Sequence, residues 1–314
     1  MTQSTAAAVH IQGDTLRCAE IERGESGLVL RRLAQESADL DVAHALWAGE
    51  RAAEAADQVR ALVDEMLGGT AAPRIGWVTD PLDAYSFFMP LSRGLDDADR
   101  ERRIAYQAAL VTDTRSSEAL QTTSRSVRTA EVDGEAVEWV HVLAVPRAVA
   151  ERMKALTASL PAPNLIRVTS PGAAAQVLRR PASADQDAPA CPYRLALGQY
   201  STHTEYTLTR SGQWHHAHAA REARALENRV YHAVGFLNRI GVSPEQIESS
   251  FVYGPDAAPA PDGPIAEVFG AEPGLLDPCA GLRFTGGHSA DEMARLYVPC
   301  IGGALAAQPD ETGP

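Results

Sequence analysis

Apolar and polar residues along the first third of the chain follow a short-strand pattern before they turn helical. Residues 8–13, 15–22 and 27–35 predict three strands, with Gly13-Asp14 making the first turn and residues 23–27 the second. In the third of these strands Leu28, Leu30 and the residues between them alternate poorly, which predicts burial on both faces. Residues 49–67 then change period. Ala53, Ala56, Val59, Leu62, Val63 and Leu67 lie near one helical stripe, and Gly68-Gly69 ends it. A further strand at 74–79 completes a strand–strand–strand–helix–strand run, the order of a mixed sheet built on an antiparallel meander.

Residues 81–160 predict a second unit. PLDAYSFFMPLSRG reads as a strand ending at Pro90, and DDADRERRIAYQAALV as a helix capped by Asp96 or Asp97. EAVEWVHVLAVP is a buried strand, RAVAERMKALTASLP a helix closed before Pro161, and LIRVTSPGAAAQVL a strand with a short helix. Residues 181–192, rich in Pro, Ala and Asp, read as a linker. A second hairpin follows, turned at Arg210-Ser211-Gly212, then a helix over 219–239 with Leu226, Val230, Val234 and Leu237 on one stripe. SSFVYG is a strand, PIAEVFG a short helix, and residues 289–306 the last helix. The chain thus says hairpin–helix–strand twice, with an α/β insertion in the first copy.

Composition narrows the function classes. The 314 residues are 45% hydrophobic and 22% charged, as in ordinary globular proteins, and the net charge of −13 opposes nucleic-acid binding. Cys18, Cys191, Cys279 and Cys300 are far apart, which predicts buried thiols in a reducing cytosol. The first residues lack the basic and apolar regions of a signal peptide, and no stretch approaches the ~18 apolar residues of a membrane span. The expected location is the cytoplasm, with any membrane contact made through a partner rather than by insertion. The only lysine, Lys154, cannot serve a P-loop, and no G-x-S-x-G or H-E-x-x-H occurs. Of the run Trp214-His215-His216-Ala217-His218, His216 and His218 are weak metal candidates, two residues apart without a visible third ligand; an exposed strand end is the plainer reading. His203 lies on an alternating strand, and Phe87-Phe88-Met89 and Trp139 read as core.

Four stretches resemble the actin-like ATPases, nearest the PilM branch of type IV pilus assembly and the related GspL-type cytoplasmic domain of type II secretion. VHIQGDTLRCAEIE resembles the family's opening strand pair, with a trailing basic-x-x-Glu in Arg17 and Glu20. AYSFFMPLSRGLDDADRERRIAYQAALV resembles its strand ending in x-x-L-P before an acidic helix start. VEWVHVLAVPRAVAERMKAL is similar to its strand, A-V-P turn and helix, and ARLYVPCIGGALA to its closing helix. The resemblance implies an α/β, actin-like (ribonuclease H-like) fold of duplicated halves. The first half would be 1–190 with an inserted subdomain at about 81–160. A reduced second half at 191–288, a final helix at 289–306 packing back on the first half and a polar tail at 307–314 would follow.

The nucleotide chemistry that the resemblance implies is where this sequence departs from it. The family's Asp-x-Gly turn in each half faces the nucleotide. Here the first turn reads His10-Ile11-Gln12-Gly13, and an imidazole is a poor ligand for Mg²⁺, which prefers oxygen. The second keeps Gly198 but places Tyr200 where a small residue is wanted. The adenine-side pair of glycines reads Gly254-Pro255, and proline removes an N–H. The stretch that closes over adenine is missing after the second hairpin. These positions are therefore read as vestigial, with no cofactor, no catalytic residue and no metal. The expected function is a non-catalytic scaffold that binds the short cytoplasmic peptide of a membrane-anchored pilus or secretion protein in a groove between 1–80 and 81–160, with self-association left open. The alternative is an ATP-binding or ATP-hydrolysing relative, an ATPase or sugar kinase, using Asp14, Glu20 or Glu205.

Overall fold

The computed structural model describes residues 4–25, 27–70, 72–81, 84–132, 134–157, 164–179, 193–221, 226–257, 263–270, 272–284 and 286–309. Strands β1 (Ser4–Gln12), β2 (Thr15–Gly24) and β3 (Gly27–Ser37) form the antiparallel meander, and β4 (Arg74–Thr79) and β8 (Asn164–Thr169) extend it in parallel, in the order β3-β2-β1-β4-β8. β1 is central and its AAAVHI run is buried throughout, which fits small and β-branched residues pressed by helices on both faces. Helices α1 (Val42–Ala48) and α2 (Ala52–Leu67) cover one face, α2 through Ala55, Val59, Val63 and Met66. Burying each such branched or long side chain contributes roughly 1.5–3 kcal/mol.

The second sheet repeats that order. Strands β9 (Tyr193–Gln199), β10 (Thr204–Arg210), β11 (Gln213–Ala220), β12 (Ile247–Tyr253) and β13 (Gly274–Leu275) run β11-β10-β9-β12-β13. The β10–β11 turn places Ser211 and Gly212 at φ 48° and 71°, the mirror-image turn whose twist suits a hairpin. Helices α6 (Leu226–Arg239) and α7 (Pro264–Phe269) pack on one side of this sheet. Between β4 and β8 lie β5 (Tyr85–Ser92), α3 (Asp97–Val111), β6 (Leu120–Val132), β7 (Glu135–Pro146) and α4 (Arg147–Thr157). They build a three-stranded sheet, β5-β7-β6.

The two large sheets meet through α5 (Ser170–Leu178) and α9 (Val298–Ala307). Both helices are apolar nearly all round and sit in the interior. Their backbones come close because glycine lines the contact: a Cβ at Gly302 would fall 2.1 Å from the Ala173 carbonyl oxygen. Gly76 and Gly303 play the same part where α9 crosses β4.

Several local expectations change. β3 is an edge strand with most residues half-buried or exposed, so its poor alternation reflects an edge and not double burial. That edge is covered by a parallel bridge from Val29 to Arg283. Pro90 lies inside β5, which tolerates it because β5 is also an edge. Residues 219–220 end β11, and α6 starts only at Leu226. The last helix is two helices, α8 (Ala290–Leu296) and α9, broken at Tyr297 ahead of Pro299. Gln308 is not tail: its amide donates to the Ile21 carbonyl at 2.9 Å. Cys18 and Cys300 are buried free thiols whose pKa burial raises, Cys300 to about 12, while Cys279 is half-buried. The linker at 181–192, with Cys191, lies outside the described residues.

Candidate functional site

The first turn presents side chains already committed to one another. His10, on β1, directs Nε2 to the Asp80 carboxylate at 3.1 Å, and both groups are buried. Asp80 follows β4, which runs parallel to β1 and carries Val78 beside His10. The side-chain Oε1 of Gln12 accepts from Arg17 at 3.0 Å, and Arg17 also donates to Oε1 of Gln35 at 2.8 Å, tying β1, β2 and β3 together. Gly13 takes the left-handed φ of 60° that the turn requires, and its carbonyl accepts the Val42 N–H at 2.9 Å, at the start of α1.

The second turn is filled more completely. Gly198 pairs with Glu205 on one side and Tyr253 on the other. A Cβ there would lie 2.6 Å from Cζ of Tyr253, so the space above this glycine belongs to that ring. Tyr200 is buried, stacks on His203 with centroids 4.6 Å apart, and meets Tyr253 edge-on. Burial, with the Glu205 and Asp80 carboxylates nearby, holds the Tyr200 phenol well above its usual pKa. Glu205 accepts from Ser170, from Tyr253 at 2.6 Å and from His203 Nε2 at 3.2 Å. Ser170 opens α5, so this carboxylate ties the second lobe to the interior helix.

At the third position Gly254 adopts φ 98°, and a Cβ would meet the Gln199 carbonyl oxygen at 2.6 Å; the glycine lets β12 close on β9. Its N–H donates to Ala294 of α8, and the Pro255 carbonyl accepts from Arg295 at 3.4 Å. The Gly254 N–H is thus spent within the chain. The carboxylates of the alternative reading do not converge. Asp14 sits at the β1–β2 tip holding Thr15, Glu20 faces Arg32 six residues along β2, and Glu205 is interior. Six residues of strand span roughly 20 Å.

Asp80, Ser170 and Tyr253 escaped the sequence reading, since their partners lie 70, 35 and 48 residues away. A polar residue closing an apolar strand, as Asp80 does after RIGWVT, was the one signal present.

The histidine run is half-buried rather than an exposed end. His216 stacks on Phe88 at 5.0 Å and tilts against Trp139, whereas His218 lies between Tyr206 and Phe236. They pack into different ring clusters, and among the described residues no group of three or more metal-ligating side chains assembles. The bulge opposite Leu208 and Thr209 falls at His215, so His216 and His218 keep their alternation, facing Leu208 and Tyr206 of β10. Phe87 and Met89 belong to the inserted sheet's core, but Phe88 and Trp139 reach across to β11.

Beside β6 an open groove of about 340 Å³ runs between the inserted sheet and the edge strand β8. Arg74, Arg125, His141, Leu143, Arg167 and Gln308 line it. Burial lowers the pKa of Arg167, with Glu151 opposing. A second crevice, between α1 and α4, is apolar but holds only about 40 Å³.

No family model matches the chain and no curated protein matches it. Solved structures do. A chain described as a PilM–PilN type IV pilus biogenesis complex aligns with 97% of this chain and 99% of its own, at TM-score 0.70 and 14% identity. A Bacteroides thetaiotaomicron protein with an actin-like ATPase fold and unknown function aligns over 97% and 96%, at TM-score 0.53 and 7% identity. The chain has the actin-like fold. Its two five-stranded sheets of equal order are the duplicated actin-like units, and at the second of them Tyr200, Tyr253 and Glu205 pack together. In this actin-like chain the three turn positions carry packing and hydrogen bonds.

Proposed function

We propose that this chain is a non-catalytic actin-like scaffold, a pseudo-ATPase, in an inner-membrane platform of the type IV pilus or type II secretion kind. It is held at the membrane by the short cytoplasmic segment of a membrane-anchored partner. The likeness to a PilM–PilN complex supports the class of machine. Among the described residues no helix is long and apolar enough to cross a membrane, which suits attachment through another protein. The observation that carries the reading is a contrast between two sites. The inter-lobe turns are filled by the chain's own side chains, whereas the groove between β6 and β8 stays open and is flanked by two strand edges.

A strand edge offers unpaired backbone groups, so an extended peptide can add to it, with side chains dropping into the flanking pockets. Arg74, Arg125 and Arg167 make this a basic groove on a chain of net charge −13, which selects a segment with acidic residues. The test is calorimetry with the cytosolic tail of a single-span protein encoded beside this gene. The expected affinity is micromolar, about −8 kcal/mol. Arg125→Glu is expected to weaken it about tenfold or more, while Arg60→Glu on exposed α2 leaves it unchanged. Absence of binding at about 1 mM, or indifference to Arg125→Glu, contradicts the proposal.

A further inference from the structure

Burial lowers the pKa of three half-buried arginines, and two of them are compensated from within the chain. Glu151 opposes the shift at Arg167, and Glu248 opposes it at Arg194. Arg128, on β6, has no such carboxylate. Burial takes its pKa down to about 10, Arg210 adds repulsion, and the Tyr193 phenol alone acts the other way. Its Nε is buried without a hydrogen-bond partner. Glu138, paired across the sheet with Thr129, is already held by Arg100. A cation desolvated without a partner is costly, so the fold leaves a place for negative charge from outside.

The neighbours of Arg128 are rings and further cations. β6 lies against β11. The Arg128 guanidinium sits over Trp139, 4.3 Å from the ring centroid, and Trp139 tilts against His216 at 5.5 Å. His216 meets His215 at 5.0 Å, and His215 meets Tyr193 edge-on at 5.5 Å. Arg210 then lies over Tyr193 at 5.1 Å. The row thus runs from one arginine to the other through rings, with no carboxylate in it. Among the described residues neither Arg128 nor Arg210 forms an ion pair. His215, its pKa pushed down to about 3 by burial and then by Arg128, His216 and Arg210, is neutral at pH 7, and its buried Nδ1 has no partner.

We propose that Arg128, Arg210 and His215 form a binding site for paired carboxylates where the inserted sheet meets the second lobe. A guanidinium presents its N–H groups as a fork that fits a planar carboxylate. Here the two forks rest on different rings, Trp139 of the inserted sheet and Tyr193 of β9. Two separate forks suit two carboxylates on one ligand better than one compact tetrahedral anion, and a neutral imidazole can add one further N–H. A small dicarboxylic acid and a peptide with neighbouring acidic side chains share that chemistry. None of the three residues lines the groove between β6 and β8, so this site stands apart from it.

Thermal melting of the whole chain at pH 7, with glutarate or an end-blocked triglutamate peptide and with sodium chloride at equal ionic strength as control, tests this. At about 10 mM one of the two probes is expected to raise the melting temperature above the chloride control. A rise with glutarate identifies a small dicarboxylate, and a rise with the peptide alone identifies acidic side chains. Arg128→Met keeps an apolar stem over Trp139 and removes the uncompensated charge, so it is expected to melt no lower than wild type in chloride and to lose the rise. Arg210→Met is expected to lose it as well, with calorimetric affinity falling at least about tenfold in each variant. Arg60→Met on α2 is expected to keep it. No rise with either probe, or a rise that survives Arg128→Met and Arg210→Met, overturns the proposal.

Discussion

An alanine at Gly198 would bring its Cβ to 2.6 Å from Cζ and 2.8 Å from the hydroxyl oxygen of Tyr253. That ring cannot swing aside, because its hydroxyl holds Glu205 and its edge meets Tyr200. Gly198→Ala is therefore expected to destabilise the fold by about 1–3 kcal/mol, the usual cost of overpacking, and denaturant unfolding would measure it. No loss would mean that the space above Gly198 is open and the account of this turn mistaken. His10, Gln12, Gly198, Tyr200, Gly254 and Pro255 were legible as the places to look, because they fall in turns marked by glycine and hairpin spacing. What occupies them was not legible. A sequence shows that Tyr200 is large, but that it stacks on His203 and that Tyr253 covers Gly198 depends on β9, β10 and β12 lying side by side.

At the scale of elements, β11 joins the inserted sheet to the second lobe through rings: Trp214 and His216 against Phe88, and His141 against Trp214. Burial depresses the pKa of His141 to about 3, with Arg125 adding repulsion, and that of His215 to about 3, with Arg128, His216 and Arg210 adding to it. His218 falls to about 4 through burial, then Arg239 and His232. Unfolded, each takes a proton near pH 6.5, so between that pH and 3 to 4 the unfolded chain binds more protons. Stability is fully present above pH 6.5 and falls as the pH drops through that window. Melting temperatures measured from pH 7.5 to 4 are expected to decline, and less steeply in His141→Phe; equal slopes would contradict the assignment. The elements missed from sequence share a cause. α1 has seven residues, too few to show a period, although Asp41 caps it through a bond to the His44 N–H at 2.8 Å. β6 is an edge strand of mostly half-buried and exposed residues, so it lacks the apolar alternation that marks a strand.

For the whole molecule, the duplicated plan was legible because hairpin, helix and strand recur in the same order, and that order fixes which strands can neighbour one another. The two sheets, β3-β2-β1-β4-β8 and β11-β10-β9-β12-β13, carry it out. Function was less legible, since it turns on which spaces between units are filled. Glycines at 76, 302 and 303 seat α9 against β4 and α5, and the aromatic and carboxylate side chains of β9, β10 and β12 occupy the turns of the cleft. The non-catalytic role proposed above implies that Mg-ATP finds no site here, and that restoring a single carboxylate with His10→Asp leaves the other two turns closed. Calorimetric titration of the whole chain with Mg-ATP tests this central claim most directly. The account predicts no saturable heat up to about 5 mM, and none of the roughly 2.7 kcal/mol of stabilisation that a ligand at 100 times its Kd confers. Saturable binding of Mg-ATP, accompanied by a rise in melting temperature, would contradict it.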